Sequence, residues 1–389
     1  MRTPALLGGD AAFPERLPLA RPARPPLDRV VARYQPAYES GILTNGRLVK
    51  ELEEAVAARL GVPHVVAVSS CTSGLILVAR HLASGGPAVL PSFTFAASAH
   101  AVAWAGLAPR FVECDPDRFQ IDLADAAANL DGAALLVATH VFGAPCRPSE
   151  VEALAAPAGV PVLFDAAHGL GATSGGRPLG GFGAAEVFSL TPTKIVVGGE
   201  GGLVATSRED VATAVRLGRD YANPGDYDSR FVGLNARLPE FNAAMALESL
   251  LELDAHLARR RSLAGQYVEA FRDVPGVRVQ AVDASDESTF KDFTIRIDPD
   301  VYGLTIPLLK QGLDADGIDT RRYFHPAVHR HQAYAGLPPR PLPVTEAVAD
   351  TVLSLPLWRD MPDDAVARVA SVVADLHHHA GDVRRSAAA

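Results

Sequence analysis

The sequence predicts an α/β fold with a mostly parallel central sheet flanked by helices and a smaller C-terminal α+β domain. Three observations carry that expectation. Between residues 46 and 206, short apolar runs alternate with helical stretches, as they do in βαβ units wound around a parallel sheet. Past residue 276 the pattern changes to runs that alternate like half-buried strands. The length, 389 residues, allows about two to three domains at roughly 150 residues each.

Residues 1–35 are rich in Pro and Arg, show no clear period, and read as an extended arm. Residues 46–60 read as an amphipathic helix, because Val49, Leu52, Val56 and Leu60 recur at three- to four-residue spacing with Glu and Arg on the other face. A strand at 64–68, a helix at 72–82, a strand at 87–91, a helix at 96–105 and a strand at 110–113 follow. Buried strands are then expected at 133–139 and 161–164, with a helix near 148–156 between them. Strands at 186–190 and 203–206 bracket a glycine-rich turn. A loop at 222–233 leads to one long helix over 239–271. Strands at 277–279 and 293–297 and helices at 304–314 and 345–353 belong to the smaller domain, and the final Arg-Arg-Ser-Ala-Ala-Ala reads as a frayed tail. The expected division is residues 1–250, the larger domain with its arm, and residues 251–389, the smaller one.

Composition narrows the function. A net charge of -9 removes the general attraction to phosphate backbones on which most nucleic-acid binders depend, though one phosphorylated metabolite could still meet a local basic patch. No apolar run approaches the roughly 18 residues of a membrane span, and the N-terminus lacks a secretory pattern. Cys71, Cys114 and Cys146 form no CxxC pair and no disulfide framework, which suits a reducing cytoplasm.

Only four of the 36 basic residues are lysines. Lys50, Lys291 and Lys310 read as solvated charges, the usual state of lysine. Lys194 differs, since it follows an apolar strand and precedes Gly198-Gly199-Glu200-Gly201-Gly202. An amine desolvated there could have a depressed pKa and act as a nucleophile; a structural lysine is the alternative. Asp165 ends a buried strand at the edge where open α/β sheets bind ligands, or else caps the next segment. His168 is either a ligand-facing or a core histidine. The run Ser69-Ser70-Cys71-Thr72-Ser73-Gly74 between strand and helix is a candidate anion site, with helix capping by Thr72 the plainer reading. It lacks the GxGxxG fingerprint and the P-loop lysine. An anion site, a carboxylate and a lysine at the ends of strands of one sheet are together the parts needed to hold pyridoxal 5'-phosphate (PLP).

These residues resemble the DegT/DnrJ/EryC1/StrS family of PLP-dependent sugar aminotransferases, which have the fold-type I architecture. The matching segments are residues 41–46, 69–74, 91–95, 165–168, 188–202, 233–240, 320–326 and 353–356. The resemblance implies that Lys194 binds the cofactor through its amine and then carries the proton between substrate and cofactor carbons. It implies that Asp165 keeps the ring nitrogen protonated, that His168 bonds the phenolic oxygen, and that Phe95 stacks on the ring. Thr72, Ser73 and Ser189 match phosphate-binding positions. Asn235 matches an asparagine that reaches the phosphate from a neighbouring subunit, so a homodimer with shared sites is implied. Arg321, Arg322, Tyr323 and His325 fall in the family's substrate segment, where the arginines could pair with a diphosphate. Dehydratase relatives have His in place of the lysine, so Lys194 favours transamination. Thr191, Phe142 and Ile195 depart from the commoner pattern at positions expected to face the sugar.

The activity so implied moves an amino group from an amino acid, glutamate first, to the keto group of a nucleotide-linked deoxysugar such as a dTDP-4-keto-6-deoxyhexose, in aminosugar (antibiotic or polysaccharide) biosynthesis. A 3-keto sugar or an amino-cyclitol precursor is the alternative substrate, and a PLP-binding regulatory protein the alternative class. His325, His329 and His331 have the spacing of a metal site, but no acidic or Cys ligand stands beside them in the sequence, and no metal is expected.

Overall fold

The computed structural model describes residues 2–388. Twelve strands occur among them: β1 (His64–Val68), β2 (Pro87–Pro91), β3 (Ala108–Val112), β4 (Leu135–Thr139), β5 (Val162–Asp165), β6 (Thr173–Ser174), β7 (Arg177–Pro178), β8 (Ala185–Ser189), β9 (Gly202–Thr206), β10 (Val277–Val279), β11 (Phe293–Ile297) and β12 (Val352–Leu355). Seven form the central sheet in the order β1-β9-β8-β5-β4-β2-β3. Only β9 runs against its neighbours; the pairs β8–β5, β5–β4, β4–β2 and β2–β3 are parallel.

Strand periodicity explains the layers. Val137, Leu163 and Val187 pack with the helices Cys71–Leu82, Ala96–Trp104 and Glu209–Gly218 on one face. Leu136, Phe164 and Phe188 pack with Arg47–Leu60, Pro148–Ala155 and Glu240–Leu250 on the other. Successive side chains of a strand point to opposite faces, so a sheet covered on both sides reads as unbroken apolar runs.

A third apolar cluster lies around β10-β11-β12 and the helices Ile306–Ala315 and Ala365–His378. It takes in Phe13 and Leu17, because residues 12–19 lie along this part of the chain. Phe13 and Leu17 donate backbone N–H bonds to the carbonyls of Asp316 (3.0 Å) and Gly317 (2.8 Å). The Trp358 indole donates to the carbonyl of Pro18 at 3.1 Å.

Several expected elements differ. The arm is not extended throughout: a helix runs from Leu27 to Ser40 with Pro36 inside it. Burial of Val30 and Ala37 against the core offsets the backbone bond that proline removes. The expected long helix is two, Glu240–Leu250 and Leu253–Phe271. The break at Leu251–Glu252 lets Leu247 and Leu253 both reach the first core, while Leu263, Tyr267 and Phe271 pack in the third cluster. Residues 352 and 353 are strand rather than helix end, pairing with Arg296 and Ile295. The tail is helical over Ala380–Ala388, held where Val383 is fully buried.

Candidate active site

A cavity of about 370 Å³ opens at the carboxyl ends of the parallel strands. The segments after β1 (Ser70, Cys71, Thr72), β2 (Thr94, Phe95, Ala97), β4 (Thr139 to Val141) and β5 (Asp165, Ala167, His168) line it, as do Ser189, Thr191, Thr193, Lys194 and Glu200 between β8 and β9. Lys291, Asp292, Tyr323 and Phe324 close it from the C-terminal half.

The anion cradle is built by capping. Ser70, not Thr72, is the N-cap of Cys71–Leu82: its hydroxyl accepts from the Ser73 N–H at 3.0 Å, and the Ser73 hydroxyl accepts from the Ser70 N–H at 3.1 Å. Thr72 lacks the extended backbone that a cap needs, and its side chain lines the cavity instead. Ser73, locked in the capping box, is not part of the lining. The first N–H groups of the helix have no intrahelical acceptor and attract anions. Gly202 makes the close packing here possible: a Cβ on it would lie 2.6 Å from the Cys71 nitrogen.

Asp165 is buried, and its carboxylate accepts from the Ser98 hydroxyl at 2.6 Å and the Ala167 N–H at 3.1 Å. His168 is held by burial, and by the charges of Lys194, Lys291 and Arg260, well below the usual imidazole range, so it is neutral. Its Nδ1 is buried without a hydrogen-bond partner, a state that calls for a ligand. Burial, then the nearby Lys291 charge, lowers the Lys194 amine to about 8. Phe95 stands at the rim, 61% exposed, with its ring 6.2 Å from that of Phe324.

A carboxylate at a strand end, a lysine with a depressed pKa, hydroxyls at a helix N-terminus and an orphaned ring nitrogen fit PLP. Lys194 would hold it by the amine, Asp165 by the ring nitrogen, and Ser70, Thr72 and Ser189 by the phosphate.

Other expected residues lie elsewhere. Asn235 is exposed and outside the cavity of its own chain. Of the four expected substrate residues only Tyr323 is in the lining. His325 Nε2 lies 3.0 Å and Arg322 3.6 Å from the Asp350 carboxylate. Arg321 is exposed, and its guanidinium donates only to the Thr320 carbonyl, at 3.0 Å. Thr191 faces the cavity, but Ile195 and Phe142 do not: Phe142 is fully buried among Phe93, Phe119 and Phe324. The three histidines take separate partners, His329 bonding Ser92 (2.6 Å) and Glu346 (3.0 Å), and His331 the Pro326 carbonyl (3.1 Å). Among the described residues no three metal-type ligands converge.

Sequence reasoning misread Lys291. It is not a solvated charge: its side chain is 7% exposed, it lines the cavity, and it pairs with Asp292 at 2.8 Å. The only signal was its position beside an acid at the start of an apolar strand.

A family model described as the DegT/DnrJ/EryC1/StrS aminotransferase family matches residues 28–374. The chain is 27% identical over 366 residues to the dTDP-4-amino-4,6-dideoxy-D-glucose transaminase of Escherichia coli, covering 92% of this chain and 98% of that one. It is 31% identical over 335 residues to the GDP-perosamine synthase of Caulobacter vibrioides, covering 84% and 90%. Among solved structures, DesI in the presence of its TDP-sugar product superposes with a TM-score of 0.92 at 37% identity over 99% of both chains.

Proposed function

The chain belongs to the DegT/DnrJ/EryC1/StrS aminotransferase family, whose members depend on PLP, and from that premise we propose that it aminates a nucleotide-linked 4-keto-6-deoxyhexose, with glutamate as donor. The observation that carries the chemistry is the single cavity holding Lys194, Asp165 and the unpartnered Nδ1 of His168. The sugar class is supported by the relatives, named for a dTDP-4-amino-4,6-dideoxyglucose and a GDP-perosamine, and by DesI with its TDP-sugar product. Aminosugar formation for an antibiotic or polysaccharide is the corresponding setting.

PLP, when bound, supplies the ring that withdraws charge as the C–H bond beside the amine breaks. The chain does the rest. Asp165, oriented by Ser98, keeps a proton on the ring nitrogen. His168, neutral, presents Nδ1 to the ring's phenolic oxygen. The Lys194 amine, lowered to about 8, loses and regains a proton near neutral pH, as a group shuttling protons between two carbons must. Ser70, Thr72, Ser189 and the helix N-terminus hold the phosphate, and Phe95 covers the ring. Arg321, the arginine of its pair without a carboxylate partner, takes the diphosphate.

The exposed position of Asn235, outside its own cavity, supports a homodimer in which it reaches the other subunit's phosphate. Tyr227 (96% exposed) and Val232 (82%) lie nearby in sequence, as an interface requires. The division near residue 250 into a cofactor-binding and a smaller domain is part of this reading, with residues 12–19 of the arm packed on the smaller domain and the helix Leu27–Ser40 on the larger one. No helix among the described residues is long and apolar enough to cross a membrane; the three free, buried cysteines support a cytoplasmic setting.

The test is spectroscopic. The protein loaded with PLP should show a yellow band that bleaches with glutamate and returns with a dTDP-4-keto-6-deoxyhexose, while Lys194→Ala shows neither change. A band restored only by a 3-keto sugar or a keto-cyclitol would move the substrate class, and aminated sugar formed by Lys194→Ala at the parent rate would overturn the mechanism.

A further inference from the structure

Lys291 and Asp292 form a buried ion pair in the cavity wall, of which the roles above use the charge of Lys291 but leave Asp292 unassigned. The Lys291 ammonium donates to one carboxylate oxygen of Asp292 at 2.8 Å, with 7% and 6% of the side chains exposed. The other oxygen, Oδ2, is buried and has no hydrogen-bond partner. Both residues line the cavity together with Lys194 and Tyr323, and the Lys291 ammonium lies 5.9 Å from the centre of the Tyr323 ring.

The pair is held firmly. The Lys291 N–H donates to the Phe142 carbonyl at 2.9 Å. The Arg260 guanidinium donates to the carbonyls of Phe290 (3.1 Å), Lys291 (2.6 Å) and Leu357 (3.0 Å). A rigid carboxylate with one satisfied and one empty oxygen is costly when buried, and a ligand that donates to the empty oxygen removes the cost.

We propose that Oδ2 of Asp292 accepts a hydrogen bond from a ring hydroxyl of the acceptor sugar, with Lys291 as the positioning residue that holds the carboxylate by its other oxygen. This rests on the nucleotide-sugar reading above. The chemistry of the oxygen excludes the other groups that enter. It only accepts, so it repels the carboxylates of the amino donor and the diphosphate of the nucleotide. An ammonium would sit beside Lys291, Lys194 and Arg260, whereas Asp292 is already neutralised by its own lysine. A neutral hydroxyl meets neither objection. In a 4-keto-6-deoxyhexose the hydroxyls available are those on carbons 2 and 3.

The experiment is calorimetric titration of the PLP-loaded full chain with dTDP and with dTDP-glucose, an unreactive probe. In the parent the sugar should add at least about tenfold in affinity, within the range of a charge-assisted hydrogen bond. In the Lys291→Met/Asp292→Leu double variant, which removes the pair without leaving a lone charge, that preference should fall to within about threefold of unity, with dTDP affinity unchanged and PLP still bound. Retention of the sugar preference in the double variant overturns the assignment. Retention joined to loss of glutamate bleaching does so too and gives the oxygen to the donor's ammonium. The parent alone supplies a second test, because the 2- and 3-deoxyfluoro forms of dTDP-glucose cannot donate at the altered carbon. One of them should bind about tenfold more weakly, and equal binding of both refutes the proposal whether or not the variant folds. A parent that keeps PLP but binds neither dTDP nor dTDP-glucose would instead overturn the nucleotide-sugar reading, and this assignment with it.

Discussion

The ammonium of Lys194 should titrate about two and a half units below an ordinary lysine, at about 8 against 10.5. Burial is the main cause and the nearby Lys291 charge adds to it. At pH 7 about a tenth of such an amine is neutral, against about three parts in ten thousand for an unperturbed one. The shift costs the folded state on the order of 3 kcal/mol wherever both folded and unfolded chains carry the proton. Between pH 8 and 10.5 the unfolded chain keeps a proton that the folded chain has shed, so stability from this group rises with pH across that window. Lys194→Met should therefore be more stable than the parent by roughly 3 kcal/mol at pH 7, with the gap closing as pH approaches 10.5. With only four lysines in the chain, carbon-13 dimethylation of the cofactor-free protein gives a spectrum simple enough to follow each amine, and urea unfolding gives the stability difference. Lys291→Met should move the Lys194 midpoint upward. A Lys194 midpoint at 10 or above, or a Lys194→Met protein no more stable than the parent at pH 7, would refute the electrostatic account.

Three other perturbations follow from the same geometry. Asp165→Asn should lower turnover by about a hundredfold or more while Lys194 still binds PLP, as separate rate and absorbance measurements would reveal. Ser70→Ala removes the cap of the phosphate-site helix and should cost about 1 kcal/mol in urea unfolding. Gly202→Ala drives a Cβ to 2.6 Å from the Cys71 nitrogen, and should cost about 1–3 kcal/mol and weaken PLP retention in equilibrium dialysis.

The parallel sheet was legible because strands covered on both faces leave apolar runs that turns and helices punctuate. Lys194, Asp165 and His168 were legible because each directly ends or follows such a strand. What escaped depends on contacts far apart in sequence. Lys291 looks like a surface charge until Phe142, Arg260 and Tyr323 surround it. Phe142 and Ile195 were expected at the sugar because they differ from commoner residues, yet each is spent on packing. Thr72 was a plausible cap by composition, and only the backbone angles give that task to Ser70. The helix at Leu27–Ser40 was hidden by Pro36, whose local cost is offset by packing on Glu240–Leu250.

The return of residues 12–19 to the C-terminal cluster has a consequence in time. Leu17 pairs with Ile318 and shares a core with Val383, so contacts that finish this part of the molecule span almost the whole chain. Closing such distant contacts is slow, and a chain emerging from the ribosome folds first what it already has. The central sheet can be complete by residue 206, when the arm's eventual neighbours do not yet exist. Residues 12–19 are thus synthesised before the sheet and packed after it, and until then Phe13 and Leu17 travel with the nascent chain as exposed apolar groups.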